Sequence, residues 1–66
     1  MERIEIIAKI IDAKIKDFTE NAEYWSAKGN FENERIARTI VIVLKDTREM
    51  LEMDEQQLKY IEDRYN

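Results

Sequence analysis

From Glu2 to Lys28 nothing in the sequence breaks a helix, and the first residue that can, Gly29, is the only glycine in a chain without proline. Along this segment Ile4, Ala8, Ile11, Ile15, Phe18, Ala22 and Trp25 recur at alternating spacings of four and three, which is the period of one apolar helical stripe. Gly29 suits the left-handed position just past a helix end, and Asn30 suits the N-cap of the next helix. Together they predict a tight turn between two antiparallel helices.

The second helix is expected from Phe31 to about Met53, where Ala37, Ile40, Leu44, Thr47 and Leu51 repeat the same spacing. Folding back at the turn sets Phe18 near Ile40, Ile15 near Leu44, Ile11 near Thr47 and Ala8 near Leu51, so apolar positions mostly meet apolar positions. Residues past about Leu58 then project beyond the hairpin. Asp54 as N-cap with Gln57 reaching back from N3 would start a short third helix, 54–65; a continuous helix is the competing reading, because Leu58, Ile61 and Tyr65 still fit the repeat. The sequence therefore predicts an all-α single domain, 1–66: helix 2–28, turn 29–30, helix 31–53 and helix 54–65. A strand over Thr39 to Leu44 is disfavoured, since no second strand-like segment exists to pair with it.

The apolar surface is too broad for one hairpin. At about 100° per residue, Ile36, Ala37, Ile40, Val41, Val43, Leu44, Thr47, Met50 and Leu51 cover roughly half of the second helix, wider than the stripe that one neighbour occupies. Ile42 falls among Arg35, Arg38, Lys45 and Asp46 and stands apart. The first helix carries a second stripe, Ile6, Ile10, Ala13 and Tyr24, set off from the main one by Arg3, Lys14 and Asn21. Either the third helix fills these gaps within the monomer, or copies of the chain associate into a homo-oligomeric helical bundle, with a dimer favoured. Association is the preferred reading, because so short a chain has little interior of its own. Ile40, Val41, Val43, Leu44 and Met50 are the expected self-association residues. Ile6, Ile10 and Tyr24 are the candidates for a second seam or for a protein partner. Trp25 is expected in the core, with Phe31 placed to close over it.

Chemistry is harder to find. With no histidine and no cysteine, the usual metal-ligand sets and thiolate catalysis are excluded, and neither a glycine-rich phosphate loop nor a serine beside a base is present. No cofactor is expected. A net charge of -4 with both signs interspersed argues against a nucleic-acid partner. The longest apolar run, Ile40 to Leu44, falls far short of the roughly 20 residues that cross a bilayer. Charge interrupts the N-terminal apolar residues, so the default setting is cytoplasmic. The resulting expectation is a non-catalytic interaction module that self-associates and binds or regulates a protein partner. The alternative is an inhibitor encoded by a phage or mobile element that blocks a host enzyme or defence protein, using the acidic residues Glu49, Glu52, Asp54 and Glu55 to mimic nucleic acid.

Overall fold

The computed structural model describes residues 2–65; Met1 and Asn66, the ends of the expected domain, lie outside the described residues. All regular structure among the described residues is helical: α1 (Arg3–Ala27), α2 (Phe31–Met50) and α3 (Glu55–Tyr65). The α1–α2 corner is a Schellman turn, in which the Asn30 N–H donates to the Trp25 carbonyl at 2.9 Å and the Gly29 N–H to that of Ser26 at 3.0 Å. That geometry puts Gly29 at φ 72°, a conformation that costs residues with a side chain about 1–2 kcal/mol. The Asn30 side chain then accepts the Asn33 N–H at 3.1 Å and caps α2.

The second helix stops at Met50, short of the expected Met53. The N–H groups of Leu51, Glu52 and Met53 each donate to a carbonyl three residues back, the tightening by which a helix end satisfies its last carbonyls. Asp54 begins again. Its carboxylate accepts the Gln57 N–H at 2.8 Å while its own N–H donates to Gln57 Oε1 at 3.1 Å, a reciprocal box that starts α3 in a new direction.

Among the described residues, α1 and α2 are the only helices that pack substantially on one another. Their seam is centred on Ala22, 0% exposed, and Ala37, 2% exposed, two small side chains that let the backbones approach closely near the turn. Val41 adds a third buried position, with Ile11, Ile15, Phe18, Ile40 and Leu44 half-buried around it. The register is pinned by one bond across the hairpin, from Arg48 Nε to Asp12 Oδ1 at 3.1 Å. Glu5–Lys9, Asp12–Lys16, Glu34–Arg38 and Glu55–Lys59 all place an acid four residues before a base; among them Glu34–Arg38 closes at 2.8 Å, whereas Asp12 pairs with Arg48 instead of Lys16. Glu52, chiefly by its hydrogen bond, and Asp12 hold the Arg48 guanidinium more firmly protonated than usual.

No large side chain is fully buried among the described residues. The Cα envelope is 43 × 33 × 11 Å, thinner than the roughly 13–15 Å that the Cα atoms of two stacked helices span, so the helices lie in one layer. The radius of gyration, 14.7 Å, exceeds the ~11 Å of a compact chain this long. The third helix does not return to α1. It runs off the far side of α2, where Ile61, Arg64 and Tyr65 face Asp46, Glu49 and Met50. Ile6, Ile10 and Tyr24 therefore stay uncovered by their own chain, and so does Ile4, whose neighbour on α2 is lost when that helix ends at Met50.

The alanine pair yields a direct test. Ala37→Leu should overpack the closest part of the seam and destabilise the protein by about 1–3 kcal/mol in urea unfolding at fixed protein concentration, while Ile42→Ala stays within about 0.5 kcal/mol of the parent.

Candidate interaction surface

Two right-handed helices lying side by side and antiparallel present matching flanks: a turn of the same sense away from the shared seam reaches the same side of the layer on both. On one side lie Ile7 and Ile10 of α1 with Ile36, Val43 and Thr47 of α2. On the other lie Glu5, Asp12, Lys16 and Glu23 with Glu34, Arg38, Lys45 and Arg48. One broad face of the hairpin is thus charged, while the other is apolar along α2 and mixed along α1, where Arg3, Lys14, Asp17 and Asn21 lie among Ile7 and Ile10.

The apolar face is open to solvent. Val43 is 57% exposed and Ile10 54%, and Ile36 is exposed to a similar degree. Even its hydroxyls are turned inward: Thr47 donates to the Val43 carbonyl and Thr39 to that of Arg35, each at 2.8 Å, which satisfies the polar group locally. The chain's solvent-accessible area is 5714 Å², roughly 1,250 Å² more than a compact monomer of 8.0 kDa exposes. That excess exceeds the ~800 Å² that each partner commonly contributes to a stable protein interface.

The residues named from sequence divide among different places. Val41, 9% exposed, belongs to the hairpin's own seam and leaves the self-association set, because it lies on the α1 side of α2. Ile40 and Leu44 sit half-buried at the seam's edge, Val43 is exposed beyond it, and Met50 is half-buried where α3 leaves α2. Ile10 shares its face with Val43, with Ile6 and Tyr24 at the outer margin. The two stripes of α1 are therefore not separate surfaces, and Ile7, exposed between them, joins the second stripe to the seam. Its position is computable from the helical period, but only once the hand of the hairpin is fixed.

Tyr24 and Trp25 form an edge-to-face pair, centroids 5.0 Å apart at 78°, with Lys28 Nζ 5.5 Å from the Tyr24 ring centre. Phe31 does not close over Trp25. It is 73% exposed, because the turn carries it to the charged side of the layer while Trp25 borders the apolar side. At the α2–α3 junction an open groove of about 440 Å³ is lined by Met53, Asp54, Gln56, Gln57, Tyr60 and Ile61.

Among the described residues no group of three acidic side chains is gathered as a metal site would require, and no helix is long and apolar enough to cross a membrane. Within the acidic run, Asp54 caps α3 and Glu52 binds Arg48 Nη1 at 3.1 Å. No family model, curated protein or solved structure matches this chain. Any functional reading thus stands on the apolar face itself.

Trp25 is the only tryptophan and borders that face. Its emission should move to shorter wavelength, with weaker acrylamide quenching, as concentration rises from nanomolar to high micromolar. Spectra that superimpose across the range would show that the face stays wet.

Proposed function

We propose that this chain is a non-catalytic helical interaction module that self-associates, as a dimer in its simplest form, and holds or regulates a protein partner. The observation that carries the reading is the single layer of helices: stable domains stack at least two layers about a core, and this hairpin has one. Association supplies the second. The charged face, bearing Arg38, Lys45 and Glu34, stays outward and keeps the assembly dispersed in water. Ile6 and Tyr24 at the margin, and the Met53–Tyr60–Ile61 groove beside α3, are the places left for a partner.

Regulation fits such a module better than chemistry. No charged side chain is buried among the described residues, whereas general acid–base catalysis depends on a carboxylate shifted by burial in a pocket.

Sedimentation equilibrium tests the reading. At micromolar concentration the protein should run at twice its 8.0 kDa mass or at a higher even multiple. A single 8.0 kDa species across the micromolar range would refute self-association.

A further inference from the structure

Along α2 the apolar face carries Ile36 and Val43, both exposed, and Met50, half-buried beside α3, each two helical turns from the next, so that Val43 marks the middle of the stripe. On α1 the same face is interrupted near its middle by two charges of opposite sign, Lys14 and Asp17. Within one chain they form no ion pair with each other or with any other described residue. The Asp12–Arg48 bond fixes the hairpin register and puts Ile15 opposite Leu44. Val43 and the Lys14–Asp17 pair therefore stand at one level of the hairpin.

Building on the self-association proposed above, we infer that a second copy of this chain covers the apolar face, related by a two-fold axis that passes between Lys14 and Asp17 and beside Val43. The axis lies between the two layers and runs across the helices. It stacks α1 on the second copy's α1 and α2 on its α2, each pair antiparallel. Val43 then meets its own symmetry mate, Ile36 meets Met50 of the second copy, and Lys14 meets Asp17 twice. The stripe on α2 is its own complement under this operation, as an isologous contact requires.

Two quantities favour a second copy as the occupant. The hairpin face is about 37 Å long, from the rise of a 25-residue helix, and about 20 Å wide across two helices, giving roughly 750 Å², close to what one partner of a stable dimer contributes. The charges balance as well. A lone lysine or aspartate under an apolar lid is strongly disfavoured, whereas the dyad supplies Lys14 and Asp17 each with its opposite at the middle of the interface; Arg3 and Lys28, which it also brings together, lie at the exposed ends.

The experiment uses the full chain with four single variants, read by sedimentation velocity and native mass spectrometry. Val43→Glu puts two like charges together at the axis and should raise the dimer dissociation constant at least about a hundredfold, while Ile42→Glu, on the charged face, leaves it within about threefold. Lys14→Asp and Asp17→Lys should each weaken the homodimer. Mixed in equal amounts, they should form the heterodimer about tenfold above the statistical share, because only that pairing sets opposite charges across the axis. The mixture also separates contact between copies from repulsion within one helix, which both pairings contain equally. A parent dimer whose mixed variants assort statistically, or which survives Val43→Glu, overturns the dyad and leaves self-association standing. A parent that is monomeric removes both.

Discussion

Everything in this molecule follows from how little a two-helix seam can enclose. Ala22 and Ala37 bring the backbones together and Val41 fills the space beside them, but α1 meets only α2, and α3 reaches α2 only around Asp46, Glu49 and Met50. A helix in contact with one other helix hides about a third of its circumference, while α2 is apolar over roughly half. The remainder has to face water or another chain. With α3 directed away from α1, nothing else in the described residues can cover it.

Much of this architecture could be read from the sequence because its determinants are local. Gly29 and Asn30 specify a turn through their own backbone and side-chain geometry, and Asp54 with Gln57 specifies a helix start in the same way. The hairpin register followed from matching two periodic stripes across a short turn. What the sequence did not yield depended on three-dimensional hand or on the path of the chain. Val41 looks equivalent to Val43 in a linear stripe, yet one lies in the seam and the other beyond it. Ile6, Ile10 and Tyr24 looked like a separate surface because Lys14 and Asn21 intervene on a helical projection. Only the antiparallel packing shows that they border the face carrying Ile36 and Val43. The early end of α2 at Met50 rests on three carbonyls being satisfied by a tightened turn, a choice no residue type there dictates.

Under the proposed self-association, folding and assembly become one process. A layer without a core has little stability to spare, so the concentration of chains enters its folding equilibrium directly. On that proposal the fold would persist where copies or a partner meet and loosen where they do not. Partner binding at the free margin would act through the same equilibrium, since any ligand that selects the assembled form stabilises it. The charged outer face contributes solubility and little energy, as expected of exposed pairs such as Arg38 with Glu34.

The most direct test is the dependence of the thermal midpoint on protein concentration, followed by helical circular dichroism over a thousandfold dilution series. If the second layer comes from another chain, the midpoint rises steadily with the logarithm of concentration, and helicity at the dilute end is already reduced at room temperature. A sharp transition at one temperature, unchanged throughout the series, would mean that a single copy holds its fold alone and that no second chain is needed to cover the apolar face.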